Sequence, residues 1–135
     1  MVSATVAVFG TATTFNYVTA DASVICGLIT TGIRTGAAAL WDATAQLPEV
    51  EITRPASILA KSTKTAMQAG LYYNFLGGIE RTITQFHREI DEEFRVVATG
   101  GVSRVFADDT DMIDIYDPDL IFKGMLHIYE RNIRQ

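Results

Sequence analysis

The opening stretch of the chain, through Thr30, constrains the fold more than any other. Val, Ile, Thr, Phe and Tyr fill Thr5 to Phe9, Thr13 to Val18 and Val24 to Thr30, and only Gly10 to Ala12 and Ala20 to Ser23 separate these segments. Connections that short join antiparallel neighbours, because a parallel pair needs a crossover of a dozen residues or more. A three-stranded meander is therefore expected. Its first turn is the tightest: Val6 to Phe9 run into Gly10, the small or hydroxylated Thr11, Ala12, Thr13 and Thr14 follow, and Phe15 to Val18 run out again. Gly10 permits backbone geometry that a Cβ resists. A threonine-rich turn beside glycine can offer N–H groups and hydroxyls to an anion, although a structural hairpin needs no ligand at all.

After Gly32 the period changes. Ile33, Ala37, Leu40 and Trp41 recur at helical spacing, Pro48 ends the run by Leu47, and Trp41 reads as a core anchor. Glu49 to Arg54, between two prolines, is an extended connection with no assigned structure. Ser62 or Thr63 then caps the main helix, whose apolar positions Met67, Leu71, Phe75, Ile79, Ile83, Phe86 and Ile90 step by threes and fours. Gly70, Gly77 and Gly78 each cost about 1 kcal/mol in a helix interior relative to alanine, so they suggest close backbone packing or a kink near Gly77. Phe94 to Thr99 reads as a buried strand, Gly100-Gly101 as a turn and Val102 to Ala107 as a short helix, which together make an α/β unit. Asp108, Asp109, Asp111, Asp114, Asp117 and Asp119 lack the pattern of a calcium loop and read as solvated loop charge. Asp117-Pro118 reads as the cap and first residue of a last helix, with Phe122, Met125, Leu126 and Tyr129 as its apolar stripe and Arg131 and Arg134 at its basic end.

Composition narrows the function classes. The chain has 135 residues, 48% of them hydrophobic, enough to build one domain with a substantial core. Eleven basic against sixteen acidic residues give a net charge of -5, which argues against a nucleic-acid backbone or an anionic membrane as partner. A lone Cys26 in an apolar run reads as a small buried hydrophobe and suits a reducing compartment. With neither a signal peptide nor a run of about 18 apolar residues, a soluble, cytoplasmic protein is expected. His87 and His127 have no partners at metal-ligand spacing, and no local nucleophile–base pair is visible.

The order of a meander, helix, long helix, strand, glycine turn and helix resembles the ribonuclease-H-like half-fold of the acetate kinase, sugar kinase, Hsp70 and actin superfamily. Particular stretches narrow it further: F-G-T-A-T-T-F at 9–15, A-L-W-D-A-T-A-Q-L-P at 39–48, A-M-Q-A-G at 66–70, V-V-A-T-G-G-V at 96–102 and I-Y-E-R-N at 128–132. Taken in order, they resemble the C-terminal half of type III pantothenate kinase over nearly the whole chain. The resemblance implies an α/β fold, with residues 1–135 forming a single ribonuclease-H-like domain whose meander is followed by helices and further strands in one mixed sheet. It also implies transfer of the γ-phosphoryl group of ATP to pantothenate, with Mg2+ and a monovalent cation, in a homodimer joined through such C-terminal halves. By the same resemblance Gly10, Thr11, Ala12, Thr13 and Thr14 match a phosphate-side hairpin, and Gly100 and Gly101 match a turn near the nucleotide. Thr63 matches a threonine on the pantothenate side, and Asp21 the acidic residue associated with the monovalent cation.

The departures from the family pattern matter as much. Where a D-F-G-T-A-T-T sequence is expected to carry the base for the pantothenate hydroxyl, this chain has Val8-Phe9-Gly10. Valine accepts no proton, and loss of a general base typically costs about 10²–10⁴ in rate. The D-x-G-N-T phosphate loop and the G-x-D-R pantothenate motif of the family's N-terminal half are absent from these residues. The family's G-G-x-I-x-P-G is Cys26 to Gly32 here, G-K-N-T is Ala60 to Thr63, and the glycine expected after the cation aspartate is Ala22. These changes suggest an engineered or truncated half-protein: a non-catalytic, self-associating domain whose interface is the long helix, with a missing N-terminal half as its other partner. The alternatives are an active pantothenate kinase of coenzyme A biosynthesis, a weak nucleotide-binding module, or a regulatory relative acting through protein contacts.

Overall fold

The structure is a computed structural model that describes every residue except Gln135. Strands β1 (Ser3–Phe9), β2 (Ala12–Val18) and β3 (Val24–Thr31) lead into α1 (Ile33–Asp42). Then come the long α2 (Thr63–Glu89), β4 (Phe94–Thr99), α3 (Ser103–Ala107), the two-residue β5 (Ile115–Tyr116) and α4 (Leu120–Ile133). One mixed sheet holds the strands in the order β3-β2-β1-β4-β5. β1 pairs antiparallel with β2 and parallel with β4, so the expected meander is extended on its β1 side by the strand that follows the long helix. This is the mixed-sheet α/β half-fold that the motifs implied.

Strict alternation decides what the sheet buries. On β1, Thr5, Ala7 and Phe9 face inward, on β2 Thr13, Phe15 and Tyr17, and on β4 Phe94, Val96 and Ala98. The alternate residues, among them Val6, Val8, Val18 and Val97, form a second face that is only half-buried. Against the inward face α2 lays Tyr72, Leu76, Ile79, Ile83 and Phe86, and α3 adds Phe106, which stacks on Tyr72. Aromatic rings tie the layers, with Phe9 edge-on to both Phe15 and Phe75. Each fully buried side chain of this size contributes about 1.5–3 kcal/mol, which makes the α2–sheet contact the main source of stability. Ser62 closes a capping box with Thr65 at the start of α2.

Several expectations need correction. α2 runs unbroken past Gly77, and a methyl group at Gly70, Gly77 or Gly78 would meet nothing within 4 Å, so the chain packs no backbone against them. The apolar stripe of α2 is spent on the core, leaving Tyr73, Asn74, Gly77, Gly78 and Arg81 as its outer face. Trp41 is half-buried and lies outside the core cluster. Cys26 is exposed, because β3 is an edge strand left uncovered on both faces. Helix α4 starts at Leu120, two residues beyond the expected position; Asp117 uses its carboxylate to accept from the Asp119 amide in a turn instead of capping. The acidic loop is less solvated than its composition suggests: Asp114 accepts from the Val96 amide at 2.7 Å and Asp109 pairs with Arg54 at 2.9 Å. That ion pair holds the proline-bounded connection, whose Val50 is buried and whose Glu51 carbonyl accepts from Gln68.

In the β2–β3 turn, Ala22 has a φ of 67°, the left-handed region that disfavours a Cβ, at the position where the motif comparison expects glycine. Ala22→Gly relieves that strain, partly offset by the extra freedom of the unfolded chain, so a net gain of about 0.5–1 kcal/mol is expected. Urea unfolding of the variant, with its midpoint raised at unchanged slope, checks it.

Candidate functional site

β1 and β4 run parallel, so their C-terminal ends deliver the Gly10 hairpin and the Gly100 turn to the same end of the sheet. The two turns touch. A Cβ built on Gly100, where φ is +103°, would lie 2.5 Å from the Phe9 carbonyl oxygen. On the other side, a Cβ at Gly32 would lie 2.3 Å from the carbonyl oxygens of Gly10 and Thr11. The hairpin is thus clasped between two glycines. The Gly32 amide and the Thr35 hydroxyl both donate to the Thr11 carbonyl, at 3.1 and 2.7 Å, which seats the turn against the start of α1. The Gly10 amide donates to the Ala12 carbonyl at 3.1 Å and closes the turn itself.

The threonines of the hairpin divide by face. Thr11 is exposed at the tip beside Ala12, while Thr14 is half-buried on the second face. Thr13 points inward; it is 1% exposed and its hydroxyl has no hydrogen-bond partner. It borders a cleft of 430 Å³ between the β2–β3 ribbon and α2, which Asn74 and Thr82 also line. On the second face, Val8, Thr99, Gly100 and Gly101 line a groove of 480 Å³ with Tyr116, Pro118 and the first turn of α4. Val8 sits in register with Thr14 on one side and Thr99 on the other, so the position expected to carry a base does face this groove. The groove's lining offers hydroxyls, backbone amides and apolar walls, and no carboxylate.

The remaining two candidates lie elsewhere. Asp21 occupies the β2–β3 turn, at the opposite end of the sheet; strands of this length rise about 3.3 Å per residue, so about 20 Å separates it from the hairpin. Its carboxylate accepts from the Thr19 hydroxyl and the Ser23 amide, and those bonds hold it below the usual aspartate range. Near it, Glu92 accepts from the Tyr17 and Ser3 hydroxyls, and the Ser3 oxygen accepts from the Ala20 amide. The bond to Glu92 keeps the Tyr17 phenol protonated to higher pH than usual. Thr63 begins α2, twelve residues and so about 18 Å along the helix axis before the Phe75 that packs on Phe9, and it lies beside Leu40 and Leu47. Gly10 to Thr14 and Gly100-Gly101 are therefore brought together, and Asp21 and Thr63 are not. Among the described residues no three His, Cys, Asp or Glu side chains converge as a metal-holding group. No described helix is long and apolar enough to cross a membrane.

The sequence model of the family described as type III pantothenate kinase matches residues 2–85. The chain belongs to the type III pantothenate kinase family. Over 129 residues it is 88% identical to the type III pantothenate kinase of Bifidobacterium adolescentis, covering 96% of this chain and 50% of that protein. The type III pantothenate kinase of Bacillus cytotoxicus is 44% identical over 124 residues, 92% of this chain and 47% of its own length. The chain spans about half the length of the curated relatives it matches, and corresponds to their C-terminal half. A solved structure from Campylobacter jejuni, named as a candidate Baf family transcriptional activator, superposes with a TM-score of 0.67 at 25% identity. It covers 98% of this chain and 60% of that one.

Sequence reasoning placed the turns but missed what surrounds them. Tyr116, Pro118 and Leu120 line the groove, yet the two-residue β5 is too short to produce a periodic signal. Asp117 ties this region together: its amide donates to the Ala98 carbonyl and its carboxylate pairs with Lys123 at 2.8 Å.

Two outcomes are expected. Gly100→Ala should lose about 1–3 kcal/mol through backbone strain alone, with the Phe9 contact adding to it, whereas Gly101→Ala, whose Cβ meets open space, should stay within about 0.5 kcal/mol of the parent; denaturant unfolding compares them. The Lys123 ammonium and the Asp119 amide lower the Asp117 pKa below its ordinary 3.8, against a smaller opposing effect of burial. Its contribution is therefore complete above pH 3.8 and fades as pH falls through the depressed value. Asp117→Asn should destabilise the chain at pH 7 by no more than about 1 kcal/mol, with the difference closing in strong acid, as read by urea unfolding of variant and parent at both pH values.

Proposed function

We propose that this chain is the half of a type III pantothenate kinase that supplies one phosphate-side hairpin and the nucleotide turn, and that alone it carries no complete phosphoryl-transfer site. The observation that carries the reading is the clasp of Gly10 to Thr14 against Gly100 and Gly32, beside a groove whose base position is Val8. Thr11 and the hairpin amides suit phosphate oxygens, and the apolar wall at Tyr116 and Pro118 suits a nucleoside. In phosphoryl transfer, catalysis consists largely of positioning and charge neutralisation. Mg2+ would neutralise the phosphates, but the groove lining lacks the carboxylates that hold such an ion, so no step through it is assigned to these residues. Asp21, held ionised by its own turn, is the proposed monovalent-cation residue, and Thr63 the pantothenate-side one. Their distance from the hairpin means they serve a site completed by other chains or another half.

Self-association belongs to the same proposal. Val24, Ile25 and Ile29 on the β3 edge are 67%, 62% and 81% exposed, beside the outer face of α2. A bare apolar edge of this kind is covered in stable proteins, and a second copy, meeting it isologously, is the proposed cover.

The test is ADP release with ATP and pantothenate, by this chain alone and after mixing with the N-terminal half of the Bifidobacterium adolescentis kinase. Turnover is expected only in the mixture, and Thr11→Ala should lower it by at least about tenfold. Steady turnover by the chain alone would overturn the reading.

A further inference from the structure

The cleft that Thr13 borders lies on the inward face of the sheet, and its lining is sorted along its length. In the β2–β3 register Thr13 stands opposite Thr30 and Phe15 opposite Leu28, so a pair of hydroxyl-bearing residues is followed, on the same face, by an apolar pair. α2 runs away from the hairpin across this ribbon, since Phe75 packs on Phe9 and Phe86 on Phe15. That course sets Asn74 at the hydroxyl end of the cleft and Ile79 toward the apolar pair, and all six of these residues line it. One end is therefore polar and the other is hydrocarbon.

Two properties indicate what such a cleft takes. Thr13 is 1% exposed and its Oγ1 has no hydrogen-bond partner, whereas the large majority of buried side-chain polar atoms are bonded. Thr82 on the opposite wall, by contrast, already spends its hydroxyl on the Gly78 carbonyl at 2.8 Å. The Thr13 hydroxyl gains a partner when a polar group enters the cleft. Secondly, none of the lining residues is ionisable. A charged molecule would lose its hydration there and meet no counter-ion, which rules out the carboxylate of pantothenate and the phosphates of a nucleotide. Thr63, the proposed pantothenate-side residue, lines a neighbouring cleft with Leu40 and Leu47. At 430 Å³ the space is of the size that small-molecule sites have.

We infer that this cleft binds a small, neutral, amphipathic molecule, whose hydroxyl or carboxamide end meets Thr13, Thr30 and Asn74 and whose hydrocarbon body lies on Phe15, Leu28 and Ile79. A threonine hydroxyl rotates to donate to a carbonyl oxygen or to accept from an N–H, and the Asn74 carboxamide offers both functions. A primary amide or an alcohol therefore satisfies the Thr13 oxygen in either sense. The site is separate from the groove at Val8 and Gly100, which lies on the other face of the sheet. It does not depend on the half-kinase reading.

The experiment titrates this chain with hexanamide and with hexanoate, which has the same length and a charge. Backbone amide resonances of Thr13 and Thr30 and the Asn74 carboxamide resonances report binding, with the mass followed by light scattering. Hexanamide should shift all three saturably, and hexanoate should bind at least about tenfold more weakly. Thr13→Val keeps the shape and removes the hydroxyl; it should weaken hexanamide about threefold to tenfold, with Thr13→Ser restoring the affinity. The same change should raise the Tm of the free chain, because an unpaired buried hydroxyl is removed. Absence of saturable shifts with hexanamide, or equal affinity for hexanoate, would overturn the inference, and neither measurement needs a variant to fold. Unchanged hexanamide affinity in Thr13→Val would overturn it, as would a lowered Tm, which would show the hydroxyl already bonded. Hexanamide affinity that falls as the chain dimerises would assign the cleft to a second copy and overturn it equally. No readout uses ATP turnover, so the outcome is distinct from that of the mixed-half assay.

Discussion

The fold depends on one contact, the apolar face of α2 laid across one face of the sheet. Strict alternation along β1, β2 and β4 gives the sheet an inward set of Thr5, Ala7, Phe9, Thr13, Phe15, Tyr17, Phe94, Val96 and Ala98. α2 and α3 meet that set with Tyr72, Ile79, Ile83, Phe86 and Phe106. Because a strand slip of one residue exchanges the two faces entirely, burying this set also fixes the register of β1 against β2 and β4. The register in turn delivers Gly10 and Gly100 to the same end. Geometry at the candidate site is therefore a consequence of core packing several residues away.

Much of this was legible in the sequence, where the physical signal is local. Short turns between β-forming runs specified the meander, and the three-and-four spacing of Met67 to Ile90 specified α2. What escaped was decided by distant parts of the chain. β3 carries the same apolar composition as β2, and nothing in Val24 to Thr31 says that it lies at an edge with Cys26 exposed. Gly70, Gly77 and Gly78 imply a neighbouring backbone only if a neighbour exists, and within this chain none does. Family motifs located the hairpin and the glycine turn by residue type. They could not tell that Asp21 and Thr63 sit far from both, since distance across a sheet or along a helix follows only from topology.

Much of the uncovered apolar surface lies in two regions at opposite edges of the sheet, with Ile58 and Leu59 of the connection before α2 outside both. The β3 edge with the outer face of α2 forms one, and α4 with the half-buried second sheet face near Val8 forms the other. The chain buries its core well while leaving Ile29 81% and Phe122 65% exposed. A single symmetric contact, burying one patch against its own copy, would still leave the second open.

Exposed apolar surface and the candidate site meet at one groove. Phosphoryl transfer needs donors arranged around the phosphates in a site from which water is excluded, where electrostatic interactions are strong. The Gly10–Gly100 clasp supplies rigid backbone at one wall of such a site: the two close approaches to Phe9 and Thr11 leave the turns little room to move. The groove beside it is nevertheless open to solvent, with Val8 where a proton acceptor would stand and α4 projecting from its rim. Helix α4, anchored at Asp117 and exposed beyond it, forms the rim of that groove.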